Sequence, residues 1–437
     1  MGNKKKLRKM ALIGGSMKKS VLLVGPLLTR SGYGEQARFA LRSLRSREDL
    51  FDIYIRPITW GQTSWMTEDT DERRWIDETI EKTIAFIQQG GQFDMSLQVT
   101  IPNEFQVIAR ENVGYTAGIE TTHCAALWIE KCNSMNRNIV VSNHSKEVIE
   151  SSAFEVQNTQ TGEIAGNLRS QRDLFTVNYP VKTFDELPDI DLNLKHDFNF
   201  LVVAQMGPRK NLENTIMWFL NEFKDEEVGM IVKTNVAKNC LIDRNTCLGN
   251  IKQIINSANV PDRKCSVHLL HGHMTEEEMH SLYLHDKVSA LVALPHGEGY
   301  GLPIFEASYS GLPVVSVGWS GQKDFLYDET GTAHFYEVSY DMVQVPKEAV
   351  WKDVIEESAG WCSAREQSAR EQMRACYDDI INKNEESIAC RACDRAEQIK
   401  EQFSEEVMYE TFVKSFTGEI KTEAIKEEVD DLLADLM

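Results

Sequence analysis

The sequence predicts an α/β protein of two Rossmann-like domains facing each other across a cleft, with helices at its C-terminal end. Three observations carry this. Strand-like apolar segments alternate with helical ones from residue 20 onward, a turn-rich acidic stretch interrupts them at 178–197, and the same alternation then restarts. With 437 residues, 42% of them hydrophobic and 26% charged, the chain can bury the cores that such an architecture needs.

The first half opens with an apolar strand at 20–28, Val21-Leu22-Leu23-Val24 at its centre. A helix follows at 35–44, with Ala37, Phe39, Ala40 and Leu44 at helical spacing. Further strands are predicted at 51–57, 95–99, 113–116 and 138–142, and a charged helix at 68–89. In the second half, strands are predicted at 198–205, 228–233, 267–271, 290–295 and 313–317, with helices at 212–223, 275–284 and 302–310. Residues 350–437 read as helices, and 405–437 as one acidic amphipathic helix with Val429, Leu432, Leu433 and Leu436 in register. The implied units are a disordered basic leader at 1–19, domains at 20–185 and 198–345, and C-terminal helices at 346–437 that pack back across both.

Charge narrows the function. Lys and Arg number 47 against 67 Asp and Glu, a net charge of −20. The first twenty residues carry seven cations and no acid, which leaves −27 on the remainder. That balance argues against a protein that coats nucleic acid, since phosphate neutralisation requires clustered Lys and Arg. The basic start is not followed by a small-residue cleavage site, so it does not read as a secretory signal, and Met17 is an alternative start. The absence of a membrane-length apolar run and the nine scattered cysteines, read as reduced thiols, point to the cytoplasm.

The segment Pro295-His-Gly-Glu298-Gly-Tyr-Gly-Leu-Pro-Ile-Phe-Glu306 follows a predicted strand and enters a predicted helix. Gly299 and Gly301 permit close backbone approach to a ligand around Tyr300. Pro303 suits a first helical turn, whose free N–H groups from Leu302 onward can receive an anion. Glu306, placed in that first turn, is positioned to accept hydrogen bonds from a diol. A loop carboxylate, an anion-binding helix start and a second carboxylate suit a nucleotide diphosphate bearing a sugar. An ordinary strand–turn–helix with two solvent-facing glutamates has the same spacing.

Glu298 and Glu306 form the E-x7-E pattern, and with Gly299-Tyr-Gly-Leu-Pro303 and Gly311-Leu-Pro-Val-Val315 the chain resembles the retaining GT-B glycosyltransferases of family 4 over residues 20–330. The resemblance implies a sugar transferred from a nucleotide diphosphate to an acceptor hydroxyl, with Glu298 against the donor sugar and Glu306 on the ribose. It implies an acceptor-holding first domain and a nucleotide-sugar-holding second one. It also implies no metal and no cofactor, because cations and helix N–H groups stabilise the leaving diphosphate. Those cations are Lys210 and Arg209, in Gly207-Pro-Arg-Lys-Asn211. Gln205 stands at the family's arginine position, and Lys233 is a further phosphate or sugar contact.

Ser31, Gly32, Tyr33 and Gly34 resemble the first cleft loop of the family. Glu120 and His123 lie where its members place a donor-contacting histidine, and Glu120 is a candidate acceptor-side base. Acceptors consistent with the resemblance are a glycan, a lipid-linked sugar or a modified DNA base. The last arises because the segments are also similar to glycosyltransferases of large tailed phages, for which the place of action is the host cytoplasm. A non-catalytic sugar-nucleotide-binding scaffold is the alternative from another class, kept open by Gln205. His271-Gly-His273 shows no carboxylate or cysteine at ligand spacing and is not expected to bind metal. Asp69, Asp71, Asp189 and Asp191 read as solvated, and Cys390-x-x-Cys393 as free thiols.

Overall fold

The computed structural model describes residues 18–157, 161 and 163–420. The leader up to Met17 and the tail with Val429, Leu432, Leu433 and Leu436 lie outside the described residues. The first domain runs β1 (Lys19–Gly25), α1 (Gly32–Arg45), β2 (Phe51–Pro57), α2 (Asp71–Gln88), β3 (Met95–Val99), β4 (Glu111–Thr116), α3 (Ala126–Ser134), β5 (Arg137–Val140) and α4 (Asn143–Ser151). A hairpin of β6 (Ala153–Gln157) and β7 (Ile164–Arg169) and a short β8 (Leu174–Thr176) complete it.

The second domain runs β9 (Asn199–Val203), α5 (Leu212–Phe223), β10 (Gly229–Lys233), α6 (Leu241–Ala258), β11 (Ser266–Leu270), α7 (Glu276–Leu284), β12 (Val288–Ala293), α8 (Leu302–Tyr309) and β13 (Val314–Val317). It continues through α9 (Lys323–Leu326), β14 (Tyr336–Val338), and the pair β15 (Tyr340–Gln344) and β16 (Gly360–Ala364). Helices α10 (Glu366–Ile381), α11 (Ile388–Gln402) and α12 (Glu405–Thr417) follow.

Each domain holds a six-stranded parallel sheet, ordered β2-β1-β3-β4-β5-β8 in the first and β11-β10-β9-β12-β13-β14 in the second. Both are doubly wound, so ligands are expected beyond the strand C-termini where the order reverses: next to β1 and β3 in one domain, β9 and β12 in the other. The central strands β1 and β9 hold apolar runs buried on both faces; Val21, Leu22 and Leu23, and Phe200 and Leu201, are buried. Ser31 caps α1 by accepting the Gly34 N–H at 2.9 Å.

The C-terminal helices tie the lobes together. On α12, Phe412 packs edge-on against Phe39 and Tyr115, and Phe416 against Phe51, all of the first domain. Two expectations are corrected here. Residues 350–364 are not helical: β16 pairs antiparallel with β15, and the adjacent Trp361 and Cys362 are both buried on opposite faces of the strand, each in a separate apolar cluster. The β6–β7 hairpin was also absent from the expected pattern, its burial being too slight to leave a clean alternation.

Candidate active site

The loop after β9 and the loop after β12 leave the second sheet at its switch point, and their charged side chains meet there. Pro208–Lys210 forms one 3-10 turn, closed by Asn211 in the left-handed region (φ 52°), and it projects Arg209 and Lys210 together. Lys210 Nζ lies 2.5 Å from Glu298 Oε1, and Arg209 Nη1 lies 3.0 Å from Glu298 Oε2. Arg209 also donates to the Gly297 carbonyl at 2.6 Å. From the opposite lobe, Glu120 Oε1 stands 3.4 Å from Arg209 Nη2. Four of the sequence-predicted residues therefore form one ionic cluster across the lobes, with Glu298 only 8% exposed.

Burial works against the Glu298 carboxylate, but Lys210 and then Arg209 outweigh it and hold its pKa below the ordinary carboxylate range. Burial also pulls the Lys210 ammonium down, while Glu298 opposes that shift. The Glu298 loop is held firmly. Its N–H donates to Ser320 Oγ at 2.9 Å, its carbonyl accepts from the Gly321 N–H at 3.0 Å, and His296 stacks on Trp361 at 4.6 Å. Neither Ser320 nor Trp361 was legible as a support, since each comes from a distant segment.

The glycines have a packing reason. A Cβ at Gly297 would lie 2.2 Å from the Glu120 carbonyl oxygen, and one at Gly299 would lie 2.3 Å from that of Ala117. Ser142 Oγ donates to the Gly299 carbonyl at 2.6 Å, so the two lobes meet backbone to backbone beside the cluster.

Other expected residues stand apart from it. Glu306 occupies the second turn of α8, not the first, because the helix begins at Leu302 with Gly301 as its cap. Its carboxylate accepts from Tyr283 Oη at 2.9 Å, and burial pushes its pKa up to about 7, with Lys182 and Tyr283 opposing. A small cavity of about 90 Å³ opens beside it, lined by Lys182, Phe184, Met274, Tyr283 and Tyr309. Lys182, from the segment joining the domains, bridges Glu35 at 2.9 Å and Glu276 at 3.1 Å. Nothing in the local sequence marked Lys182, whose partners are remote in the chain.

The Tyr300 ring is packed among Tyr179, Phe305 and Phe325, so only its backbone faces the loop surface. Lys233 Nζ donates to the Gly272 carbonyl at 2.5 Å, and Gln205 Nε2 to the Val236 carbonyl at 2.6 Å. Tyr33 Oη bonds Thr116 Oγ1 at 2.8 Å while its ring lies 4.1 Å from Trp60. His123 reaches Ser358 Oγ at 2.9 Å and does not join the cluster. The expectation that His271 lacks ligand-type neighbours is overturned: α6 delivers Asp243 Oδ1 to 2.9 Å from its Nε2, with Cys247 alongside.

Solved structures share this architecture. The chain has the GT-B fold. A glycosyltransferase from Rickettsia africae superposes with a TM-score of 0.56 at 11% identity, over 93% of this chain and 100% of that one. Sucrose-phosphate synthase from Thermosynechococcus elongatus gives 0.56 at 12%, over 94% and 100%. HepE of Anabaena, solved with UDP and glucose, gives 0.54 at 12%, over 92% and 100%. At these identities the likeness is one of fold. No protein-family model and no curated protein matches the sequence. Among the described residues, no helix is long and apolar enough to cross a membrane.

Proposed function

We propose that this protein is a retaining glycosyltransferase that moves a sugar from a nucleotide diphosphate to an acceptor hydroxyl without a metal at the diphosphate. The observation that carries the reading is the Arg209–Lys210–Glu298 cluster at the β9/β12 switch point, faced by Glu120 from the other lobe. Like-folded proteins add support, since HepE was solved with UDP-glucose.

Negative charge grows on the diphosphate as its bond to the sugar breaks, and Lys210 and Arg209 supply the compensating charge from fixed positions. At the start of α8 Pro303 has no N–H and the Ile304 and Phe305 N–H groups bond the Gly301 carbonyl, so the anion site there narrows to the Leu302 N–H. Glu298, held ionised by the two cations, orients donor hydroxyls and stabilises the oxocarbenium-like sugar. The acceptor attacks from the face the diphosphate leaves, which conserves the anomeric configuration. Glu120 faces this space from the acceptor-side domain as the candidate base. Glu306 grips the ribose from the second turn of α8.

The test is turnover of a panel of UDP-, GDP- and ADP-sugars by the full chain, with Glu298→Ala and Lys210→Ala tested singly. One donor should be turned over at a rate unaffected by added Mg²⁺ or Mn²⁺. Near-normal turnover in both variants would refute the assignment, and binding without any turnover would make the protein a sugar-nucleotide-binding scaffold.

A further inference from the structure

Away from the ionic cluster, three side chains of metal-ligand type converge where β10 and β11 end. Asp243 and Cys247 are one turn apart on the buried face of α6, and His271 directly follows β11. Asp243 Oδ1 lies 2.9 Å from His271 Nε2 and 3.5 Å from Cys247 Sγ, and all three atoms lie within 4.8 Å of one another. A tetrahedral zinc ion with bonds of roughly 2.0–2.3 Å places its ligand atoms about 3.3–3.6 Å apart. The His–Asp separation would have to open by only about 0.4 Å to match.

The surroundings are arranged as outer partners of a ligand are. Asp243 Oδ2 accepts the N–H groups of Ala237 and Lys238, both at 2.8 Å, and Oδ1 accepts that of Val236 at 2.9 Å. These amides fix the carboxylate so that Oδ1 faces both the imidazole and the sulfur, as second-shell donors do around bound metals. Side-chain exposure is 7% at Asp243 and 3% at His271, and Cys247 is fully buried.

We infer that Asp243, Cys247 and His271 form a zinc site, independent of the glycosyltransferase reading. The mixed thiolate, imidazole and carboxylate set suits Zn²⁺ better than hard cations such as Mg²⁺, which prefer all-oxygen shells. Three protein ligands leave the fourth position to water. The ion would pin the 234–240 loop, which Gln205 also holds through the Val236 carbonyl, against the sheet edge that carries Lys233. Its role is to fix that rim of the second domain.

The test uses the full chain, stripped with a chelator under reductant and titrated with Zn²⁺ against a chromophoric competitor, then with Co²⁺ followed by absorbance. One tight equivalent of Zn²⁺ and a thiolate-to-cobalt charge-transfer band are expected. Cys247→Ser should abolish the band and weaken Zn²⁺ binding by more than the ~10–100-fold typical of losing an outer partner. His271→Gln, which keeps a polar partner for Asp243, should weaken binding similarly while the far-UV spectrum stays that of the folded chain. A variant with the exposed Cys240, Cys390 and Cys393 changed to Ser should keep both signals. No tight equivalent, or a site that survives both Cys247→Ser and His271→Gln, overturns the inference.

Discussion

Replacing Lys210 by alanine removes the ammonium 2.5 Å from Glu298 and leaves Arg209, at 3.0 Å, as the remaining cation on that carboxylate. Breaking a buried ion pair costs about 3–5 kcal/mol. Here the side chains are 20% and 11% exposed and a second cation stays, so the expected loss of stability is about 1–3 kcal/mol. The catalytic loss should be larger. Taking away one fixed charge aimed at a developing anion lowers kcat by about 10²–10³-fold, or roughly 3–4 kcal/mol of barrier. A pH profile separates this from simple destabilisation. Wild-type Glu298 is held below the ordinary carboxylate range against burial, and without Lys210 burial meets only Arg209. Its pKa therefore rises, and the acid limb of the kcat profile should move to higher pH, with Lys210→Arg restoring part of both effects. Donor turnover within about threefold of wild type, with the limb unmoved, would refute the reasoning.

Three further outcomes follow from the same geometry. Glu306 has a folded pKa raised from 4.5 to about 7, so the stability it removes is absent below 4.5 and grows as pH rises through that window. Glu306→Gln should thus raise stability near pH 8 by about 1–3 kcal/mol and be neutral near pH 4, as read by denaturant melts; a pH-independent difference contradicts this. Gly297→Ala places a methyl group 2.2 Å from the Glu120 carbonyl and 2.8 Å from the Trp319 ring. It should cost about 1–3 kcal/mol and enlarge the radius of gyration in X-ray scattering, while an unchanged profile and melting temperature would show that the lobes do not meet there. Glu120→Gln frees Arg209 of one of its two carboxylates, so nucleoside diphosphate affinity should tighten several-fold by calorimetry, and weaker binding would mean that Glu120 helps build the site.

Periodicity made most strands and helices of the two sheets legible, as in the fully buried Val21–Leu23 and Phe200–Leu201. It missed α6, whose buried face carries Asp243 and Cys247 among polar residues, the short parallel strands β8 and β14, and the antiparallel pieces β6, β7, β15 and β16. In the candidate site, Glu298, Lys210 and Arg209 were readable through the family resemblance, which their places beside strand ends with turn residues around them supported. Lys182, Ser320 and the Asp243–Cys247–His271 group were not, because their partners are joined by topology and not by spacing. Glu306 falls in the second turn of α8 because that helix starts at Leu302, as its pattern predicts, and the fifth helical residue lies past the first turn.

The most direct test of the central claim compares a nucleoside diphosphate with its nucleoside by calorimetry, using whichever of UDP, GDP or ADP binds best. If Arg209 and Lys210 hold the diphosphate, it should bind wild-type protein at least ~100-fold more tightly than the nucleoside, about 2.7 kcal/mol. In Lys210→Ala that advantage should fall below about tenfold. An advantage that persists undiminished without Lys210 would place the diphosphate somewhere other than the β9/β12 switch point.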